Sequence, residues 1–145
     1  MSKKIIFNVF LFCTLFSVNA QDWQTDIDTA QKIASEKNKR IVLVFQGSDW
    51  CAPCIKLEKE IWDSEDFKEY AKENYVLLKA DFPRKKKNKL SDIQQEKNNK
   101  LAEKFNPKGF FPRVVVLNKN AEIIGSTGYK KITPSEYIKL LNSFK

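Results

Sequence analysis

The sequence contains no histidine and only three cysteines among its 145 residues. The lack of histidine excludes Ser-His-Asp and Cys-His catalysis, and it excludes metal sites built on imidazole. Two of the cysteines, Cys51 and Cys54, are separated by two residues, and the third, Cys13, lies near the N-terminus. One closely spaced pair cannot form a framework of disulfides that holds a fold together, so the pair is available for chemistry.

The N-terminus has the three-part pattern of a secretory signal peptide. A short basic start precedes an apolar run over residues 5–16, and small residues follow up to Ala20. We expect cleavage after Ala20, which makes residues 1–20 the signal peptide and 21–145 a single exported domain, periplasmic or secreted. The apolar run is too short for a stable membrane span. A retained N-terminal anchor and a lipoprotein tether through Cys13 remain as alternatives, although the residue before Cys13 is bulky.

The charge balance is moderately basic. Without residues 1–20 the chain has 24 basic and 18 acidic side chains, so its net charge is 24 − 18 = +6. This charge favours solubility and anionic partners, and it says little about the fold. The basic run over residues 84–89 could contact nucleic acid, anionic lipid or an acidic protein face, but such runs are most often solvated loops. Export, and the lack of an aromatic stacking platform, argue against nucleic acid.

The apolar pattern predicts an α/β fold. The continuous apolar runs over 40–46 and 75–81 are typical of strands buried on both faces. Residues 133–136, Thr-Pro-Ser-Glu, form a capping box that starts the last helix. These elements predict a mixed central sheet with helices on both faces. In chain order the predicted elements are a helix over 23–37, a strand over 40–46, a helix from Cys51 broken at Asp63-Ser64, a strand over 75–81, a helix over 90–105, a strand over 112–117, a turn over 118–120, a strand over 122–126 and a final helix.

The motif Trp50-Cys51-Ala52-Pro53-Cys54 lies where a buried strand leads into a helix. A cysteine at a helix N-terminus faces unpaired N–H groups and the positive end of the helix dipole. We therefore expect a lowered pKa for the Cys51 thiol and a reactive thiolate. Cys54 lies one turn later, where it can resolve a mixed disulfide formed at Cys51. Pro53 stiffens the turn between them.

Two other interpretations of this pair are half of a zinc site and an inert structural disulfide. Zinc requires four ligands, and the exported domain supplies two sulfurs and no imidazole, so only a metal shared between chains remains open. A disulfide that closes so short a loop contributes little to stability. We therefore expect no metal and no organic cofactor.

Two segments resemble the thioredoxin superfamily. Residues 46–62 resemble its active-site segment, and residues 109–114, Gly-Phe-Phe-Pro-Arg-Val, resemble its cis-proline loop. The Asp-Trp-Cys start of the motif, Glu58-Lys59 and the ending over 62–64 are most similar to small exported thioredoxin-like proteins and to the C-terminal domain of membrane thiol:disulfide interchange reductases. The resemblance extends from about Trp23 to Phe144 and implies a thioredoxin-like fold.

The resemblance also implies roles for individual residues. Cys51 is the implied nucleophile and Cys54 the implied resolving thiol. The implied substrate-binding residues are Trp50, Pro53, Phe111 and Pro112. Pro112 is expected in the cis form, and Gly128 is expected in a neighbouring surface loop.

Three positions depart from the superfamily pattern. Phe45 stands where thioredoxins have a buried aspartate that assists proton transfer, and no nearby carboxylate plainly replaces it. Phe111 is large where a small or β-branched residue is usual, which suggests a narrower substrate range or shielded sulfurs. Lys59 replaces a helix-kinking proline. These departures bear on rate and specificity more than on the fold.

The predicted function is exported thiol–disulfide exchange, with reduction of protein disulfides favoured over oxidation or isomerisation. Exported protein thiols and disulfides are the expected substrates, and a membrane or soluble partner supplies electrons. We expect a monomer that does not bind nucleic acid. The alternative is a partner-binding module on a thioredoxin scaffold, which uses Phe110, Phe111 and the basic run while redox chemistry is incidental.

Overall fold

The apolar run Arg40–Gln46 forms the central strand, β2, of a five-stranded sheet. A computed structural model describes residues 21–145; the predicted signal peptide lies outside the described residues. The strands, in the spatial order β1-β3-β2-β4-β5, are β1 (Trp23–Gln24), β2, β3 (Tyr75–Asp81), β4 (Arg113–Leu117) and β5 (Ile123–Thr127). β1, β3 and β2 are parallel, whereas β4 runs antiparallel to β2 and β5 antiparallel to β4. The predicted mixed sheet is confirmed.

Helices cover both faces of this sheet. They are α1 (Ile27–Lys37), α2 (Ala52–Leu57), a π-helical turn (Glu58–Trp62), α3 (Glu65–Asn74), a 3-10 turn (Lys86–Asn88), α4 (Asp92–Phe105) and α5 (Pro134–Ser143). Within residues 21–145, no helix has both the length and the apolar character needed to cross a membrane.

Alternate side chains of β2 enter two separate core layers. Val42 and Val44 pack in the layer that contains side chains of α2, α3 and α5. Leu43 and Phe45 pack on the opposite face with side chains of α1 and α4. Successive side chains of a strand point to opposite faces, so a strand buried on both faces is apolar throughout. This arrangement confirms the prediction for β2.

The first predicted helix begins later than its apolar spacing indicated. Trp23 belongs to β1, where it pairs in register with Leu77, and its ring packs against Trp62 with centroids 5.8 Å apart. The helix starts at Ile27 because the Asp26 carboxylate caps it, accepting a hydrogen bond from the Thr29 backbone N–H at 3.0 Å. Placing Trp23 in a helix was therefore wrong, since the cap is a stronger boundary than apolar spacing.

The C-terminal helix is capped as predicted. The Thr133 side chain accepts from the Glu136 backbone N–H, and the Glu136 carboxylate accepts from the Thr133 backbone N–H at 2.8 Å. The buried side chains of this helix are Tyr137, Ile138 and Leu141, whereas Leu140 is only partly buried.

Candidate active site

A tight turn after β2 places the cysteine pair at the start of α2. The Gly47 carbonyl accepts hydrogen bonds from the backbone N–H groups of Trp50 at 3.3 Å and Cys51 at 2.9 Å. Cys51 is the N-cap of α2, and its carbonyl accepts from the Ile55 N–H at 3.0 Å. The helix therefore begins one residue after the predicted position, and Cys51 remains at its positive end.

Cys51 and Cys54 are joined by a disulfide, with their α-carbons 5.2 Å apart. Both residues are largely buried, at 4% and 3% exposure. The two cysteines that the sequence singles out are thus close enough to alternate between dithiol and disulfide.

Trp50 is held in a cluster of rings beside this pair. Its indole Nε1–H donates to the Phe82 carbonyl at 2.7 Å, and its ring lies 5.5 Å from that of Phe111. Phe111 in turn packs against the Phe82 ring, at 5.6 Å between centroids. The Arg84 guanidinium covers the Trp50 ring, 3.6 Å from its centroid. The large Phe111 side chain is therefore a fixed part of this ring cluster.

The loop before β4 has the backbone form that the resemblance implied. The Phe111–Pro112 peptide bond is cis, and Gly109 adopts a left-handed φ of 67°. Buried Asn106 stabilises the loop, because its amide N–H donates to the Phe110 carbonyl at 2.8 Å and its Oδ1 accepts from the Phe110 N–H at 3.0 Å. The sequence analysis did not identify Asn106. A side-chain amide at the end of a helix, four residues before Phe110, was the feature that could have indicated this contact.

An open groove runs between the start of α2 and the cis-proline loop. Its lining includes Pro53, Phe110, Phe111, Pro112, Gly128 and Tyr129. Phe110 is 53% exposed, which is unusual for a large apolar side chain. A β-carbon on Gly128 would lie 3.2 Å from the Pro112 carbonyl oxygen, so glycine permits this close approach. Three of the four predicted substrate-binding residues therefore line one groove, and the fourth, Trp50, contacts that groove through Phe111.

A second groove is lined by Cys54 together with a carboxylate and an ammonium group. Glu58 and Lys79 both line it with Cys54, and the Lys79 ammonium lies 3.2 Å from the Glu58 carboxylate. The expectation that no nearby carboxylate plainly replaces the aspartate absent at Phe45 stays a prediction, and Glu58 is the carboxylate that shares this groove with Cys54. Phe45 is buried in the core layer on the other face of the sheet, while Glu58 begins the π-helical turn, four residues after Cys54. The spacing of four residues from Cys54 was the available signal.

Lys59, which replaces the expected proline, lies in the π-helical turn. The Asp63 N–H donates to the Glu58 carbonyl at 2.8 Å, five residues back along the chain. Such turns often occur at functional sites and change the direction of a helix without proline.

The family of this chain follows from comparison with known proteins. A profile of the thioredoxin-like domain family matches residues 27–145. The chain belongs to this family. Its match extends over the sheet from β2 to β5 and includes the cysteine pair and the cis-proline loop.

Known thioredoxin-like proteins show how far the similarity extends. The disulfide bond reductase DsbH of Chlamydia pneumoniae is 30% identical over 110 residues, which are 76% of this chain and 64% of that protein. The chain thus spans slightly less than two thirds of this relative's length. A solved DsbH oxidoreductase structure matches with a TM-score of 0.79 at 25% identity, covering 98% of this chain and 93% of that one.

The expected similarity to the membrane reductases is also found at the level of the fold. The C-terminal domain of DsbD from Neisseria meningitidis, in its oxidised form, matches with a TM-score of 0.58 at 13% identity, covering 81% of this chain and 91% of that one. At this identity the match supports the fold alone. The predicted thioredoxin-like fold and family are confirmed.

Proposed function

We propose that this chain is an exported thiol–disulfide oxidoreductase that reduces disulfides in other proteins. The observation that carries the proposal is the Cys51–Cys54 pair at the positive end of α2, next to a groove lined by Pro112. A helix N-terminus favours the thiolate, which is the attacking form of cysteine. The similarity to a protein named a disulfide bond reductase favours reduction over oxidation.

The reaction proceeds in two exchange steps. The Cys51 thiolate attacks one sulfur of the substrate disulfide, which breaks that bond and releases the other sulfur as a thiolate that takes up a proton. Cys54 then loses its proton and attacks the Cys51 sulfur, so the mixed disulfide breaks and the second substrate thiol leaves. The substrate gains two electrons and two protons, and the chain is left with the Cys51–Cys54 disulfide. A dithiol partner, membrane-bound or soluble, reduces it again.

The Glu58 carboxylate is the candidate acceptor for the Cys54 proton. It lines the groove that Cys54 also lines, and the Lys79 ammonium holds it in place. A carboxylate on this side of the pair supplies what the position of Phe45 does not.

The groove on the other side is the candidate site for an extended substrate segment. Phe111 and Pro112 form one wall, Pro53 belongs to the helix that carries the cysteines, and exposed Phe110 offers an apolar contact. The Trp50 ring packs against the Phe111 ring, with centroids 5.5 Å apart.

The proposal is tested with cysteine variants and a fluorogenic disulfide peptide. Cys51→Ser is expected to abolish reduction, while Cys54→Ser is expected to accumulate a mixed disulfide at Cys51 that mass spectrometry detects. Cys13→Ser, made in the uncleaved chain, is the control for the third thiol and keeps full activity. A reduction potential near or below about −220 mV supports a reductase, whereas one near about −120 mV makes the chain an oxidant.

The exposed Phe110 ring favours one alternative, a module that binds partners through the groove without redox turnover. In that case Cys51→Ser leaves partner binding and cellular function intact, and Phe110→Ala removes both. Loss of function in Cys51→Ser together with retained binding contradicts this alternative.

Export is tested by the N-terminus of the protein isolated from cell fractions. Cleavage after Ala20 yields a chain that starts at Gln21 and is found outside the cytoplasm. An intact Met1 on a membrane-associated protein supports a retained anchor instead, and a lipid on Cys13 supports a lipoprotein. We expect the mature chain to sediment as a monomer.

A further inference from the structure

The basic loop, residues 84–89, begins beside the cysteine pair because of the strand order. β3 is parallel to β2, and Asp81 at the end of β3 is in register with Gln46 at the end of β2. The Phe82 N–H donates to the Gln46 carbonyl at 2.9 Å. The chain therefore enters the basic loop at the same sheet edge at which β2 leads towards Cys51.

Asp49, two residues before Cys51, anchors the basic loop. Its carboxylate accepts hydrogen bonds from the backbone N–H groups of Arg84 at 2.9 Å and Lys85 at 3.0 Å, and from the Asn88 side chain at 2.8 Å. The N–H of Arg84, followed by the Asn88 amide, holds the pKa of Asp49 below its ordinary value. The basic loop thus has a defined position relative to the cysteine pair.

A ring contact provides a second anchor. The Arg84 guanidinium lies over the Trp50 indole, whose N–H donates to the Phe82 carbonyl just before the basic loop. Cation–π contact and hydrogen bonds together join the basic loop and the active-site tryptophan into one unit. A solvated loop that only carries charge requires neither of these anchors, so the fixed position of the basic loop indicates a further role.

The basic loop concentrates positive charge at this position. Residues 82–90 contain five basic side chains and no acidic one. Lys85, Lys86 and Lys87 are exposed, and Lys89 forms only a loose, exposed ion pair with Asp92 at 3.7 Å. The Asp49 carboxylate is engaged by backbone and amide N–H groups, so it orients the basic loop while the ammonium groups stay in solvent.

We propose that the basic loop binds an acidic segment of the protein whose disulfide Cys51 attacks, and that it thereby selects which disulfides this chain reduces. This inference rests on the proposed function and adds a substrate class to it. An acidic segment on the basic loop is held beside the turn that carries Cys51. Opposite charges across such a contact raise the association rate and suppress competing partners, and both effects weaken as salt screens them.

The test compares two fluorogenic peptides that share one disulfide. One has aspartates and glutamates on both sides of the cysteines, and the other has asparagines and glutamines. The full chain is expected to show a higher kcat/KM for the acidic peptide, by about tenfold at about 20 mM salt, and to lose most of this preference at about 300 mM. The variant Lys85→Gln, Lys86→Gln, Lys87→Gln loses the preference and keeps its rate on the neutral peptide.

A matched control removes the same charge elsewhere. Lys37, Lys139 and Lys145 are exposed lysines outside both grooves, and their joint change to glutamine is expected to leave the acidic preference unchanged. The reduction potential of the basic-loop variant is also measured, and an unchanged value shows that the dithiol itself is unaltered.

Several outcomes overturn the inference without touching the proposed function. One is that the wild type and the basic-loop variant show the same preference for the acidic peptide. Another is that the control variant loses this preference to the same extent as the basic-loop variant. A third is a basic-loop variant that keeps the acidic preference but no longer binds vesicles containing phosphatidylglycerol, which makes the basic loop a lipid contact. Failure to reduce either peptide refutes the proposed function instead.

Discussion

Substituting alanine for Gly47 tests whether the position of Trp50 controls the reaction. Gly47 is buried in the turn between β2 and α2, and a β-carbon there would overlap the Trp50 indole. The backbone of Gly47 does not require glycine for its φ, so the expected effect is steric. The indole must move away from the turn, which breaks its 2.7 Å hydrogen bond to Phe82 and its contact with Arg84.

The size of the effect follows from these contacts. Overpacking a buried site costs about 1–3 kcal/mol. Loss of the Trp50–Phe82 hydrogen bond, at about 0.5–1.5 kcal/mol, is one part of that cost. We expect the free energy of unfolding to fall by about 2 kcal/mol. Because Trp50 supports the Phe111 wall of the groove, kcat/KM for a disulfide peptide is expected to fall about tenfold, which equals about 1.4 kcal/mol in the transition state.

Gly125→Ala is the matched control. A β-carbon on Gly125 would overlap the Phe144 ring at the end of α5, away from the cysteine pair. Urea unfolding measures the stability of both variants, and NMR of the indole N–H groups reports whether Trp50 has moved. Both variants are expected to lose stability, but only Gly47→Ala is expected to lose activity. If the Trp50 signal shifts while kcat/KM stays within about twofold of the control, the position of Trp50 is not needed for the reaction.

Two further changes test charged groups. In the wild type, a hydrogen bond from Lys97 to the Asp26 carboxylate lowers the pKa of Asp26 to about 2. Asp26→Asn keeps a side chain that can cap the helix but removes this charge. The wild type is therefore expected to be about 1 kcal/mol more stable than Asp26→Asn at pH 7, after allowance for solvent screening. Urea unfolding should show this advantage fading as the pH falls from about 4 to about 2; an advantage that persists at about pH 2 rules out the charge as its source. Glu58→Gln is expected to slow breakdown of the mixed disulfide by Cys54 about 100-fold at pH 7 in stopped-flow experiments, with recovery above about pH 8.5, where the thiol ionises unaided. A deficit that is independent of pH identifies a structural role for Glu58.

The cysteine pair and its setting were predictable because their causes are local in the chain. A continuous apolar run indicates a strand buried on both faces. The order of strand, turn and helix along the chain then places Cys51 at the helix N-terminus. The same holds for the capping box at Thr133, where all the bonding groups lie within four residues. Trp23 was wrongly placed in a helix because the residues that fix its position, Leu77 and Trp62, are remote in the chain. Apolar spacing alone does not show whether Trp23 belongs to a helix or to a strand.

The tertiary structure alone decided what surrounds the sulfurs. Glu58 lies only four residues after Cys54, but its ion pair with Lys79, in the groove that these residues line, depends on the packing of β3. Asp49 reaches the basic loop because β2 and β3 are parallel neighbours and end at one sheet edge. The sequence by itself determined the family, the sheet and the reactive pair, since apolar period and motif spacing encode them. The ion pair of the proposed proton acceptor, the substrate groove and the anchored basic loop depend on contacts between residues far apart in the chain, which only the packing of the strands brings together.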